Sequence, residues 1–404
     1  MSEGLRTPRL LVAFGGLSFV LFPIPIITLF WTEQMGLSLT EIMLLQAIFS
    51  LASVTLEFPS GYLADRLGYR TALLTGAVLW AVGWLVFALA TTFWGLALAE
   101  TVLGIGHACI SGADAALLFS SLSAAGQVGT YRRWDGRMRA AGQVCEAASA
   151  AAGGWLYALA PRLPIWLQLP VALAGIGVVA RMRDTRPVTA VETKHAARVW
   201  HVFLHALRHR RLRTAMLLSV VLGLSTFLMV WLIQPWMQRR GIAAVWFGPL
   251  WAAAHLWLAA VSLASGRVAE TFGVRPTLVA CAVLAVTGYL TLAFVATAWA
   301  VVFYLCFMTT RGLQTPILTT VIQADAPPDD RASVLSLAAL CFRLAFVVCG
   351  PPVGALVDRI GLEPALGVVG AASALLSIVA LTAFTRAHPA SVLPEASSAL
   401  PGAS

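Results

Sequence analysis

The sequence predicts an all-α integral membrane protein of about twelve transmembrane helices, arranged as two six-helix halves. Three observations support this fold class. Of the 404 residues, 59% are hydrophobic and only 11% are charged, with a mean hydropathy of +0.83, whereas soluble domains carry roughly 25% charged residues. Apolar stretches of about 20 residues, long enough to cross a bilayer as a helix, recur along the whole chain. One loop pattern also repeats at about half the chain length.

The apolar stretches and the turn residues between them place the helices in order. The first six are expected near 10–31, 42–62, 71–91, 94–120, 138–160 and 163–181. The second six are expected near 213–235, 243–265, 276–296, 299–322, 333–357 and 364–385. The predicted domains are therefore an N-terminal bundle over 1–181, a basic cytoplasmic linker over 182–212, a C-terminal bundle over 213–385, and a tail over 386–404 whose Pro, Ala and Ser composition indicates disorder.

The basic residues predict the orientation, because short loops rich in Lys and Arg stay on the cytoplasmic side of the membrane. With both termini cytoplasmic, 21 of the 27 basic residues lie on that side, four lie in external loops, and Arg311 and Arg343 remain inside helices. The first apolar segment lacks a small-residue cleavage site and is interpreted as a retained helix. The sequence thus predicts a multi-pass protein of a bacterial inner membrane, and its charge of +9 indicates topology rather than nucleic-acid binding.

The repeated pattern lies in the loops after helices 2 and 8. Its copies are 205 residues apart and place glycine, an acid, glycine and arginine at matching positions. The residues are Gly61, Asp65, Arg66, Gly68 and Arg70, preceded by Glu57, and then Gly266, Glu270, Gly273 and Arg275. Glycine permits tight turns and close helix approach, and an acid at the membrane face can pair with arginine or a helix N-terminus. The pattern predicts a cytoplasmic latch; a solvated turn that only sets topology is the alternative.

The segment Gly61-x-Leu63-Ala64-Asp65-Arg66-x-Gly68-x-Arg70 resembles the loop signature of the major facilitator superfamily. The resemblance implies two six-helix bundles around a central cavity, lined mainly by helices 1, 4, 7 and 10, with alternating access. One departure concerns helix 4, where many proton-coupled drug exporters of this superfamily carry an arginine and this chain has Glu100. The proton mechanism of that subgroup therefore does not transfer directly.

Ionisable residues within predicted helices are costly in a bilayer and require an explanation. Glu100, His107 and Asp114 are spaced by seven residues in helix 4, which puts them on one face of a continuous helix. Helix 5 repeats the spacing with Arg139 and Glu146. One interpretation makes Glu100, His107 and Glu146 groups that bind protons or a cationic part of a substrate. A second interpretation is an Asp114–Arg139 ion pair that joins helices 4 and 5. A third is that His107 only forms a hydrogen bond between helices.

Helix 10 provides a second set of candidates, Arg311 and Gln314, which share one face. Arginine is always charged and its planar fork suits a carboxylate or another anion. The prediction is an anion-binding group of the substrate site, and the alternative is an internal ion pair with an acid of the other half.

These observations together predict a proton-coupled secondary active transporter that works by alternating access and exports a small amphipathic organic solute such as a drug, siderophore or metabolite. The alternatives are an importer of a siderophore or carboxylated metabolite, and a lipid flippase of the same fold. An enzyme is not expected, because no catalytic constellation is visible, and no phosphate-binding loop for ATP is present. The six cysteines lie in apolar segments without metal-ligand spacing, so no cofactor or metal is expected. The expected partners are a small-molecule substrate, protons and the lipid bilayer, with the chain acting as a monomer.

Overall fold

A computed structural model of the protein describes residues 5–184, 205–206, 208–327 and 330–389, with side chains described throughout except at 58–63, 65 and 332. All regular structure in these ranges is helical, without a strand. The contacts divide the chain into two compact units, unit 1 (Met1–Glu192 with Ala243–Ala252) and unit 2 (Thr193–Ile242 with Ala253–Ser404). The predicted all-helical membrane fold is confirmed.

Unit 1 holds the helices of the first half and has its own apolar core around Leu73, Leu117 and Leu118. Its helices are α1 (Arg6–Ser18), α2 (Ile27–Met35), α3 (Leu39–Leu67), α4 (Tyr69–Leu89), α5 (Phe93–Ile110), α6 (Ala113–Ala124), α7 (Tyr131–Leu159), α8 (Leu163–Trp166) and α9 (Gln168–Ala180).

Unit 2 holds the helices of the second half, except that the first residues of its second helix belong to unit 1. The helices are α10 (Arg210–Arg239), α11 (Phe247–Phe272), α12 (Val274–Phe294), α13 (Tyr304–Asp325), α14 (Arg331–Ile360) and α15 (Leu362–Ala387). Its core surrounds Leu218, Leu278 and Leu318.

Nine helical stretches of the described ranges are long and apolar enough to cross a membrane, so the predicted count of twelve is not confirmed. Helices do lie at the three remaining places, 10–31, 138–160 and 299–322. The first is interrupted between Ser18 and Ile27, at Pro23 and Pro25, because proline removes a backbone donor and cannot continue a regular helix. The other two contain ionisable and polar residues that lower their hydropathy.

The fourth predicted helix is also interrupted, which corrects the geometry expected for 94–120. Helix α5 ends at Ile110 and α6 begins at Ala113. Gly112 between them has a φ of 84°, which glycine adopts without the steric cost that a Cβ would bring. The seven-residue register therefore holds for Glu100 and His107 but does not extend to Asp114.

The two copies of the loop pattern make the same contact within their own units. Arg70 Nη2 donates to the Ala180 carbonyl at 2.7 Å, at the C-terminus of α9. Arg275, 205 residues later, donates through Nη2 to the carbonyl of Thr385, which lies 205 residues after Ala180 and near the end of α15, at 3.0 Å. A cation at a helix C-terminus is stabilised by the helix dipole and by the free carbonyls there. Each arginine thus ties the first turn of one helix to the last turn of another.

Candidate functional site

Two of the predicted site residues form a polar seam between α3 and α5 in unit 1. Gln46 Nε2 donates to Glu100 Oε1 at 3.4 Å. Two helical turns further along both helices, Ser53 Oγ lies 3.1 Å from His107 Nδ1. The seven-residue spacing of the α5 residues is matched by the seven-residue spacing of their partners in α3. Glu100 is only 4% exposed and Ser53 is fully buried.

A glycine between the two rungs brings the helices together. A Cβ at Gly104 would lie 2.7 Å from the Phe49 carbonyl oxygen and 3.0 Å from the Ala52 Cβ. The Phe49 ring also packs edge-on against the His107 imidazole, with ring centroids 5.8 Å apart. The seam therefore consists of two hydrogen-bonded rungs around one close backbone contact, the kind of approach that small residues permit between membrane helices.

The charge environment of Glu100 determines what the seam can do. Within the described residues its hydrogen-bond partner is the neutral amide of Gln46, and it makes no ion pair with a basic side chain. A buried carboxylate without a cationic partner carries a desolvation cost of several kcal/mol, which the neutral acid avoids. A carboxyl in this position can therefore take up and release a proton as its surroundings change.

The other acidic candidates of unit 1 lie apart from the seam. Asp114 is in the first turn of α6, where its Oδ1 accepts the N–H of Ala115 at 2.7 Å. Arg139 pairs with Asp135 at 2.9 Å on its own helix rather than forming the direct pair with Asp114 that the sequence suggested. Glu146 is half-buried on α7, with Gln143 Nε2 at 3.5 Å from its Oε2. Asp114 and Arg139 are still close enough to interact electrostatically, whereas the seam between α3 and α5 contains Glu100 and His107.

In unit 2, Arg311 and Gln314 lie on consecutive turns of α13. Gln314 is 4% exposed, and its Nε2 donates to Thr315 Oγ1 at 3.0 Å, whereas its Oε1 is buried without a hydrogen-bond partner among the described residues. Arg311 is half-buried and makes no ion pair with a described residue. Buried amide oxygens are normally hydrogen-bonded, so this acceptor is an exception among the described residues.

The remaining residues of the loop pattern have different surroundings. Arg66 and Glu270 are exposed, and a Cβ at Gly266 would meet nothing within 4 Å. Gly68 and Gly273 have φ values of 97° and 85° and each is the single residue between two helices. The side-chain surroundings of positions 61 and 65 lie outside the described part of the structure, and Glu57 has contacts of its own. The latch between halves stays a prediction, while Arg70 and Arg275 serve contacts within their units.

A crevice elsewhere in unit 1 contains none of the predicted site residues. It lies between α1, α4 and α9 and its lining is mainly apolar, with Trp80, Trp84 and Gln168 among the larger side chains. Within the described part of the chain, no group of three His, Cys, Asp or Glu side chains is placed to hold a metal ion.

Several residues of these clusters were missed by sequence reasoning. Ser53 and Gly104 attract no attention as single residues, although the spacing of Gln46 and Ser53 repeats that of Glu100 and His107 and was a usable signal. Gly223, which lies next to Gln314, and Phe342, which lies next to Gly223, carry no comparable signal because glycine and phenylalanine are common throughout the apolar helices.

The described part of the chain is helical, contains nine stretches long and apolar enough to cross a membrane, and buries the Glu100 side chain between two helices, as in a multi-pass membrane protein. A family model described as Major Facilitator Superfamily matches residues 10–349, and the chain belongs to this superfamily. It is therefore a membrane transporter of the major facilitator fold.

Solved structures support the same fold. The chain is similar to the nucleoside transporter NupG, with a TM-score of 0.74 and 13% identity over 95% of this chain and 99% of that one. It is similar to a peptide transporter POT in complex with sulfate, with a TM-score of 0.74 and 13% identity over 97% of this chain and 96% of that one. It also resembles a bacterial homologue of the human lysosomal transporter Spinster, with a TM-score of 0.68 and 16% identity over 98% of each chain. No curated protein sequence matches the chain.

Proposed function

We propose that the protein is a proton-coupled secondary transporter that works by alternating access and exports a small amphipathic organic solute. It acts as a monomer in a bacterial inner membrane, with both termini in the cytoplasm, as the distribution of basic residues favours. The loop residues around Asp65 form the cytoplasmic latch that breaks and re-forms as the halves move.

The observation that carries the coupling proposal is the α3–α5 seam. Glu100 is buried beside a neutral amide, and His107, whose unperturbed pKa of about 6.5 suits a physiological proton gradient, lies two turns away on the same face. An ionisable residue inside the membrane is by default a candidate functional residue, and proton relays are one of the roles that such residues have. Glu100 is the proposed proton carrier, and His107, about 10 Å further along α5, is the second titratable group that can bind the driving proton.

A second candidate is import of a carboxylated metabolite, and Arg311 is the observation that favours it. A half-buried guanidinium without a described acidic partner can hold a carboxylate through two parallel hydrogen bonds. In this second candidate function, the proton and the carboxylated substrate cross the membrane in the same direction.

Proteoliposomes loaded with the pH indicator pyranine distinguish the two versions. Amphipathic organic cations and carboxylates are added outside, one at a time, at equal internal and external pH. Solute entry in exchange for protons makes the lumen more alkaline, whereas entry together with protons acidifies it. The sign does not depend on the orientation in which the protein inserts.

Glu100→Gln keeps the shape of the side chain and removes its titratable proton. We expect this variant to bind the active solute but to produce no pyranine signal, while Glu363→Gln, a surface carboxyl that pairs with Arg239 and Arg240 in unit 2, retains it. Full proton movement by both Glu100→Gln and His107→Asn would show that the seam is only structural.

A further inference from the structure

The first nine residues of α7 in unit 1 carry an excess of positive charge. They contain four arginines and one acid, Asp135, and that acid is already paired with Arg139 at 2.9 Å. The other three arginines, Arg132, Arg133 and Arg137, are exposed and form no ion pair with a described residue. This end of the helix therefore presents guanidinium groups to an anion outside the protein.

Two exposed apolar side chains show which face of α7 meets the lipid chains. Val144 is 69% exposed and Trp155 is 63% exposed, and in a bilayer large apolar side chains that no other helix covers contact lipid. At 100° per residue, Arg133, Arg137, Val144 and Trp155 fall within an arc of about 40°. Two of the arginines thus continue the lipid-facing side of the helix toward its N-terminus.

Arg132 lies on a different side of the same helix. It is about 100° from Arg133, and it shares its side with Arg139 and Gln143, which are also exposed and polar. The arginines of this segment therefore divide into a pair that faces lipid and others that face away from it.

The spacing along the helix axis places the pair at the level of the lipid headgroups. Arg137 precedes Trp155 by 18 residues, about 27 Å along the helix, close to the roughly 30 Å thickness of the hydrocarbon core. Tryptophan is enriched at membrane interfaces, so Trp155 marks one boundary of the core and Arg137 the other. Arg133 lies about 6 Å further out, in the headgroup layer.

The guanidinium of Arg137 is positioned by the indole of Trp134. Its Cζ lies 4.9 Å from the centroid of that ring, and Trp134 is only 8% exposed. An arginine that lies over an aromatic ring still has the N–H groups along the edge of its planar fork, and these suit two parallel hydrogen bonds to phosphate oxygens.

We propose that Arg133 and Arg137 bind the phosphate of an anionic glycerophospholipid in the cytoplasmic leaflet, with the acyl chains of the lipid along Val144 on the same face of α7. Basic residues just outside a transmembrane span attract anionic headgroups, and the apolar face next to them selects a lipid over a soluble anion. The choice of leaflet rests on the orientation given under the proposed function. The binding itself depends neither on the direction of transport nor on proton coupling.

Binding is measured with the purified full-length protein in a neutral detergent, by the fluorescence anisotropy of phosphatidylglycerol that carries a fluorophore on one acyl chain. Phosphatidylcholine with the same chains and fluorophore is the comparison, because its choline group balances the charge of the phosphate. We expect phosphatidylglycerol to bind at least fivefold more tightly. Arg133→Gln and Arg137→Gln should each weaken it about fivefold and the double variant about 25-fold, and phosphatidylcholine should change less than twofold.

Arg132→Gln is the matched control, because it removes the same charge from the same turn on the side that faces away from lipid. It should change the affinity for phosphatidylglycerol less than twofold. The substituted arginines are all exposed, and thermal unfolding confirms that each variant is folded. If the double variant is unfolded, the two single variants decide the matter.

Three results would overturn the proposal. Equal binding of the two lipids would show that the headgroup charge is not recognised. A loss in Arg132→Gln as large as that in Arg137→Gln would show attraction by net charge without a site. Displacement of the bound lipid by 10 mM inorganic phosphate would show that the arginines take a soluble anion. No proton gradient is present, so a failure of proton coupling leaves all three measurements unaffected.

Discussion

Gly104→Ala tests the central contact of the α3–α5 seam. The added Cβ would lie 2.7 Å from the Phe49 carbonyl oxygen, whereas ordinary van der Waals contact begins at 3.4 Å. The two helices must therefore move apart by about 0.7 Å. The same displacement would stretch the Ser53–His107 contact from 3.1 Å to about 3.8 Å and the Gln46–Glu100 contact from 3.4 Å to about 4.1 Å, beyond hydrogen-bonding distance.

The free-energy cost follows from these distances. Overpacking a tight contact costs about 1–3 kcal/mol, and each interhelical hydrogen bond in a membrane protein contributes about 0.6 kcal/mol. The higher helix propensity of alanine offsets up to about 1 kcal/mol. We therefore expect a net loss of about 1–3 kcal/mol, which corresponds to a fall in Tm of roughly 3–10 °C for a unit of this size.

Thermal unfolding in detergent, followed with a thiol-reactive dye, suits this protein because all six cysteines are free and Cys281 is buried. Gly177→Ala is the matched control. This glycine lies in α9 of the same unit, and a Cβ there would meet nothing within 4 Å. Its substitution should leave Tm unchanged or raise it slightly, since alanine favours the helix. If Gly104→Ala is as stable as Gly177→Ala, the two helices are not in the contact described and the argument for a coupled seam fails.

Other predictions concern the helix ends, the core and the latch. Arg70→Gln and Arg275→Gln should each lower Tm by about 2–4 °C, because each variant loses a charged helix cap worth about 1 kcal/mol. Lysine at either position should restore part of this loss. An unchanged Tm in the glutamine variants would show that the caps do not stabilise the protein. Trp236→Phe should lower Tm by a similar amount, because the fully buried indole donates to the Leu292 carbonyl at 2.8 Å, and an unaltered Tm would contradict this. Asp65→Asn should slow solute exchange in proteoliposomes without reducing membrane insertion, and exchange at the wild-type rate would remove the latch assignment.

Glu100, His107 and Asp114, which the sequence placed on one predicted helix, show how much of the candidate site could be predicted. Periodicity placed Glu100 and His107 on one face, and both do lie against α3. The same argument failed for Asp114, because it assumed a continuous helix through Gly112. Glycine is frequent in membrane helices, so its presence did not reveal that this one has a positive φ and ends a helix.

The loop arginines illustrate a different limit. The repeat at 205 residues was visible in the sequence, and it indicated that Arg70 and Arg275 have equivalent roles. The role itself was not visible, because each arginine caps a helix 110 residues away in the chain. Local patterns report which residues are equivalent and contain no information on which distant carbonyl a side chain reaches.

The sequence by itself determined that the protein lies in a membrane, that its structure is helical, and that its two halves repeat. These properties follow from composition and local periodicity, because a bilayer requires every spanning segment to satisfy its own backbone hydrogen bonds. Only the tertiary structure decided that Glu100 and His107 face Gln46 and Ser53, and that Gln314 and Phe342 both border Gly223. Those pairings depend on which helices become neighbours and on the close approach that single glycines permit, and both are set by packing between segments far apart in the chain.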